Sequence, residues 1–257
     1  MGLYVAEPTR YRIGFADTAE ERKACFQLRY AIFAGELGAD IDGGIDQQDQ
    51  DHFDPHCLHL CVKDSMNGQL VAYTRLLTSE NAPKAGGFYS QGEFDLSMLN
   101  GLQGRFLEVG RTCVHPDFRN GAVIGLLWQG IAEFITHENY DYLFGCASLG
   151  LEDGGASATA IIDGLRGRFF AEPAQQVRPY YPLHARREGL ADKPKLPPLL
   201  KAYLSLGAKV CGEAFYDKDF NCADLFMLLR VKDLSPRYAR HFLQRVPAHT
   251  SHSLLAA

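Results

Sequence analysis

The chain has 257 residues, with 26 Lys+Arg against 31 Asp+Glu and 46% hydrophobic residues, enough to bury a substantial core and too acidic for general affinity to nucleic acid or anionic membranes. Its longest apolar runs, such as Ala122 to Leu127, stop far short of the roughly 20 residues that span a bilayer, and Glu7, Arg10 and Arg12 arrive before the apolar stretch of a secretion signal could form. Seven cysteines without paired close spacing fit reduced thiols in a cytosolic protein.

Tyr11 to Phe15 alternates apolar with polar or small residues and predicts an edge strand. Asp17 or Thr18 then caps a helix. Glu20 and Glu21 stand three residues later, at capping-box spacing, and the helix runs through Phe26, Arg29 and Tyr30 towards Phe33. A long polar loop from Gly35 to Asp54 follows, carrying Asp40, Asp42, Asp46, Asp49, Asp51 and Asp54. Leu58 to Lys63 and Gln69 to Leu77 flank Asn67-Gly68, which predicts a β-hairpin with a tight type I′ turn. After a loop from Thr78 to Gly104, Phe106 to Val114 reads as a strand. Polar His115 to Gly121 opens an apolar helix from Ala122 to about His137, and Tyr142 to Leu149 is the next strand. This strand-helix-strand unit demands a crossover, hence a parallel pairing or a splayed pair at the sheet centre. Gly154-Gly155 precedes a short helix from Ser157 to Leu165, and Leu196-Pro197-Pro198 starts another that ends near Gly207. Lys209 to Tyr216 and Ala223 to Val231 close the set, joined by the turn Asp217 to Phe220. The order β-α-β-β-β-α-β-α-α-β-β describes one mixed α/β domain over residues 1–234, with a C-terminal tail at 235–257.

Arg119, Asn120, Gly121 and Ala122 follow a strand and open a helix, where free amides and the positive dipole end can hold a phosphate; an ordinary helix start reads the same way. Glu108 and Arg111 lie three apart in a strand, so their side chains face opposite ways unless a bulge intervenes. A carboxylate among Phe106, Leu107 and Val109 needs either a cationic partner, for which Arg75 is the candidate, or a place in a cleft with a chemical role. His52, His56, Cys57, His59 and Cys61 raise a metal hypothesis, but no short-spaced ligand pair is answered by a second downstream, so the expectation is no metal. Between Ile161 and Lys201 eight basic residues face four acidic ones. That local excess fits either a solvated loop or a docking surface for an acidic partner.

Together these segments resemble a GNAT-type N-acyltransferase. Arg29 with Phe33, Asp51 with Asp54, Arg75 in Arg-Leu-Leu, and Glu108-x-x-Arg111 occur in the order seen in acyl-homoserine-lactone synthases. Closer still is the ornithine N-acyltransferase family of ornithine-lipid biosynthesis, which the run from Leu107 to Ile131 resembles nearly throughout, with likeness extending from about Ile13 to Leu234. The resemblance implies a GNAT-like mixed central sheet with a splayed strand pair, flanked by helices. It also implies transfer of a long-chain 3-hydroxyacyl group from acyl carrier protein to the α-amine of ornithine. No cofactor beyond the carrier's phosphopantetheine is expected. An acyl-homoserine-lactone synthase, or an N-acyltransferase for another amino acid such as glutamine, is the alternative.

Within that reading Glu108 is the candidate general base, since an amine attacks a thioester only when neutral. Amides of the Phe106 to Val114 strand would hold the tetrahedral intermediate, and Cys113 has no evident base to make it a nucleophile. Arg119, Asn120, Gly121 and Ala122 would hold the donor phosphate. Asp51 and Asp54 either meet the cationic acceptor or pair with Arg29 and Arg75 to hold their loop, with Arg111 beside them. Arg186 and Arg187 would dock the acidic carrier protein. The enzyme is expected in the cytoplasm, with peripheral contact at the inner membrane and no nucleic-acid partner.

Overall fold

The computed structural model of the protein describes residues 10–184 and 194–234; the tail at 235–257 lies outside them. Alternation in β1 (Tyr11–Phe15) buries Ile13 and Phe15 and turns Arg12 outward. Thr18 begins α1 (Ala19–Tyr30) with the expected capping box: its Oγ1 accepts from Glu21 N at 3.1 Å, and the Glu21 carboxylate accepts from Thr18 N at 3.2 Å. The helix then widens into a π-helical segment, Ala31–Glu36, where Leu37 N donates to Ile32 O at 2.9 Å. Such widened turns re-aim side chains and recur at functional sites. This one places Phe33 on the wall of the central cleft.

Strands β2 (Leu58–Asp64) and β3 (Leu70–Thr78) pair antiparallel as expected, but their turn is not type I′. Gly68 has φ +73° and Asn67 stays out of the positive region that a type I′ turn requires at both positions. Asp64 carries the turn instead. Its carbonyl accepts from Gly68 N and its carboxylate from Met66 N, at 2.8 and 2.9 Å, and the register slips between Val62 and Lys63.

The segment expected to be a plain loop contains β4 (Phe94–Asp95), which pairs with β7 (Arg178–Pro179) in a small second sheet. Next come β5 (Phe106–Val114), α2 (Gly121–His137), β6 (Tyr142–Gly150), α3 (Ala156–Leu165) and α4 (Pro198–Leu206). The last expected hairpin is divided into β8 (Lys209–Val210) and β9 (Phe215–Asp217), both against β10 (Cys222–Arg230). Gly212 makes the break: it has φ +114°, and a Cβ there would strike the carbonyl of Val177.

The main sheet runs β1-β2-β3-β5-β6-β10-β8, with β9 also on β10. Its larger core packs α2, α3 and α4 on alternating residues such as Leu60, Val62 and Ala72, while α1 covers Cys61, Tyr73 and Cys113 on the other face. Only β5 and β6 are parallel among the strand pairs described, and their register ends at Glu108 opposite Phe144. Beyond that point they part. Gly145 sits at the parting, where an added Cβ would strike the Val109 carbonyl and lie 3.0 Å from the Tyr203 hydroxyl.

A backbone carbonyl cannot yield as a side-chain tip can. Gly145→Ala is therefore expected to cost about 1–3 kcal/mol of unfolding free energy, read from urea denaturation. Gly110→Ala, whose methyl would meet only the Arg75 side chain at 3.6 Å, should be close to neutral and is the control.

Candidate active site

Arg29 is fully buried on α1, so its charge must be matched inside the protein. Its Nε donates to Asp49 at 3.0 Å and its Nη1 to Asp54 at 2.7 Å. Arg75 on β3 donates through Nη1 to both oxygens of Asp51, at 2.7 and 2.8 Å, and to Asp54 at 3.1 Å. Arg111 on β5 stands 3.4 Å from Asp49 and 3.6 Å from Asp51. Three guanidiniums thus meet three carboxylates and fasten the acidic loop to the sheet. Burial alone would raise the Asp51 carboxyl, but Arg75, with Arg111 and Arg29 behind it, holds it below the usual range. Asp51 and Asp54 take the loop-holding arrangement, and Asp49 is a third member that sequence reasoning passed over.

A bulge brings Glu108 and Arg111 into one cleft. Tyr73 pairs with Cys113 and Arg75 with Gly110, leaving two residues of β5 opposite Thr74, and Arg111 takes φ +52°. The cleft formed where β5 and β6 part is lined by Phe33, Arg75, Tyr89, Glu108, Arg111, Cys146, Ser148, Asp217 and Asp224, among others. Arg75 is not the partner of Glu108. Instead Glu108 Oε1 accepts from Ser90 N at 2.8 Å and Ser90 Oγ at 2.6 Å, while Oε2 accepts from Tyr89 N at 2.8 Å. Burial pushes this carboxyl up, and the Ser90 and Tyr89 hydrogen bonds pull it back ahead of the Arg75 charge.

A second acidic group lines the region. Glu93, in the turn before β4, is pushed up to about 9 by burial and by the Asp224 charge. Asp224 on β10 is pushed up to about 6, chiefly by burial. Cys146 donates its thiol to Glu93 Oε2 at 3.1 Å and lies 3.5 Å from Ser90 Oγ, linking this group to Glu108. Asp224 is a carboxylate in a strand that is apolar up to Arg230, the same signal that singles out Glu108, and sequence reasoning passed over it.

The helix start expected to hold phosphate is capped by its own chain. Asn120 Oδ1 accepts from Ala122 N at 3.1 Å and Val123 N at 3.2 Å, and Gly121 begins α2. Arg119 pairs with Glu36 through both nitrogens, at 2.6 and 2.5 Å. Arg186 and Arg187 lie outside the described residues. Both ring nitrogens of His59 are taken, by Tyr73 Oη at 2.8 Å and the Asp54 carbonyl at 3.1 Å, and burial keeps the ring neutral by lowering its pKa. Among the described residues, the grouping close enough to hold a metal is instead Asp217, Cys222 and Asp224, whose ligand atoms lie within 4.8 Å of one another. All seven cysteines are free thiols, and burial pushes Cys113 up to about 12, which leaves it a poor nucleophile.

Residues 28–129 match the acetyltransferase (GNAT) domain family. The chain is 34% identical to the L-ornithine N(alpha)-acyltransferase of Rhodobacter capsulatus, in an alignment that covers 94% of this chain and 98% of that one. Among solved structures it is similar to the AHL synthase LasI, with a TM-score of 0.53 and 12% identity over 93% of this chain and 96% of that one. It is also similar to FeeM, an N-acyl amino acid synthase from uncultured soil microbes, with a TM-score of 0.51 and 13% identity over 87% and 92%. At such identities the structural likeness is one of fold.

Two predictions rest on the charges. Asp54→Asn leaves Arg29 and Arg75 short of a buried counter-charge and is expected to cost about 3–5 kcal/mol, measured as a lower urea midpoint. The carboxylates also give opposite pH dependences. Glu93 and Asp224 bind protons more readily folded than unfolded, so their contribution grows as pH falls through about 9 and about 6. Asp51, held low, contributes above about pH 4 and loses that contribution as pH falls further. Unfolding free energy should therefore rise from about pH 9 to about pH 7, above the range where the lowered His59 opposes it, and decline below about pH 4. A steady decline from about pH 9 to about pH 7 would contradict the assignment.

Proposed function

The chain belongs to the L-ornithine N(alpha)-acyltransferase family, and from that premise we propose that it moves a 3-hydroxyacyl group from acyl carrier protein to the α-amine of ornithine. The observation that carries this reading is the parting of β5 from β6 beyond Glu108 and Phe144, which opens a cleft lined by both Glu108 and Arg75. A thioester on a phosphopantetheine arm would enter where the strands separate. There the amides of β5 beyond Glu108 no longer have a strand partner in β6, and they would stabilise the oxyanion.

Ornithine's α-ammonium gives a proton to Glu108, directly or through water, and the neutral amine attacks the thioester carbonyl. The C–N bond forms, the C–S bond breaks, and the departing thiolate takes up one proton, so each turnover releases one proton to solvent. Buried Arg75 Nη2 has no hydrogen-bond partner and would receive the α-carboxylate. At the donor end a phosphate would replace Asn120 Oδ1 on the amides of Ala122 and Val123, with Arg119 exchanging Glu36 for it. Arg186 and Arg187, in the basic stretch, would meet the acidic carrier.

The proposed product carries one long acyl chain and is an amphiphile, so we place the enzyme in the cytoplasm with peripheral contact at the inner membrane. No helix among the described residues is long and apolar enough to cross a membrane.

Expressed in a bacterium that lacks amino-acid lipids, the protein should yield 3-hydroxyacyl-ornithine by lipid mass spectrometry. Glu108→Gln should lower kcat by roughly 10²-fold or more, with the circular dichroism spectrum retained. Acyl-homoserine lactone in the extracts, or acyl-glutamine alone, would replace the ornithine assignment.

A further inference from the structure

The two acidic groups around the cleft are electrically unlike. Asp49, Asp51 and Asp54 are matched by Arg29, Arg75 and Arg111. Glu93, Asp217 and Asp224 have no Lys or Arg within ion-pairing distance among the described residues, although they are 5%, 9% and 4% exposed. Asp224 Oδ1 and Glu93 Oε1 are both buried and accept no hydrogen bond. A buried carboxylate oxygen without a donor is costly, so each of these two oxygens is open to a hydrogen-bond donor brought by a ligand.

From these residues we propose that Glu93, Asp217 and Asp224 form the binding site for the side-chain ammonium of the acceptor, selecting a diamino acid over amino acids with neutral side chains. The proposal rests on the acyl-transfer reading above and adds to it the residues that choose the acceptor. Asp224 lies on the cleft wall, and Asp217 borders both the cleft and an open pocket of about 580 Å³ that also touches Glu93. That pocket, which Phe53 and Tyr89 also line, gives a polar solute a way in.

Glu108 pairs with Phe144 and Asp224 with Ser148, from opposite sides of β6 and four residues or about 13 Å apart along it. Both line the same cleft, so an acceptor whose α-amine faces Glu108 has Asp224 on the wall beside its side chain. A metal held by Asp217, Cys222 and Asp224 would need the same carboxylates, and the chelator arm of the test below separates it from an ammonium.

Calorimetry on the full chain with ornithine and with norvaline, its analogue lacking the terminal amine, tests the site without acyl transfer. Ornithine should bind at least about 100-fold more tightly. Asp224→Asn should lose most of that difference while leaving norvaline unchanged, and Glu93→Gln should lose part of it. In turnover, Asp224→Asn should raise KM for ornithine far more than it lowers kcat. Equal binding of ornithine and norvaline by the native chain would overturn the site, and needs no variant to fold. So would equal weakening of both ligands in Asp224→Asn, or ornithine binding that a chelator abolishes and zinc restores. Selective binding without any acyl-ornithine would sink the proposed reaction and keep the site. Acylation of ornithine and norvaline with equal kcat/KM would keep the reaction and sink the site.

Discussion

A guanidinium with no access to water governs the first half of this molecule. Arg29 is held within α1, and the loop after the π-helical segment has to bring Asp49 and Asp54 back to it. Asp54 reaches Arg75 as well, and Asp51 saturates what remains of Arg75 Nη1. The long acidic loop is thereby shaped by charge rather than by apolar packing. Removing one member would strand the others, which makes the network a strong determinant of local geometry even where its net stabilisation is small.

The same network bears on the sheet. Arg111 reaches Asp49 and Asp51 from a backbone at φ +52°, a conformation disfavoured for a non-glycine residue. The bulge at that point puts Arg111 and Glu108 on one cleft, and β5 leaves β6 immediately after Glu108. Ion pairing, bulge and strand parting are therefore consecutive along β5. On the far side of the cleft, Glu108 fastens the turn at Tyr89 and Ser90 through both carboxylate oxygens.

Local patterns carried much of this in the sequence. The capping box at Thr18, the strand-helix-strand crossover around α2 and the ends of α4 depend on neighbouring residues, and they were legible. The turn after β2 was not, because Asp64 organises it through its carbonyl and carboxylate while Asn67 stays out of the positive-φ region that a type I′ turn needs. The division between β8 and β9 comes from Val177, thirty-five positions before Gly212, and no window of sequence contains both. At the site, Glu108 stood out as a charge in an apolar strand. Asp49 was hidden among six loop aspartates and Glu93 in a segment without periodicity, whereas Asp224 carried the same signal as Glu108, a carboxylate in an apolar strand, and was passed over. Charges that matter through distant partners are the ones a linear reading loses.

The cleft divides into a compensated end and an uncompensated end, and that division separates selectivity from rate. In amide formation the α-nitrogen changes from ammonium to amine to neutral amide, so only groups near Glu108 experience a change of charge during the reaction. A side-chain ammonium at Glu93, Asp217 and Asp224 keeps its charge from substrate through transition state to product. Contacts there strengthen all three states alike, which lowers KM without accelerating the chemical step. They would also hold the acylated product as firmly as the substrate. Release then has to draw on the one group the product has gained, the acyl chain, whose transfer into a bilayer is favoured by about 0.8 kcal/mol per buried methylene. On that account a membrane surface would assist the enzyme by removing its product.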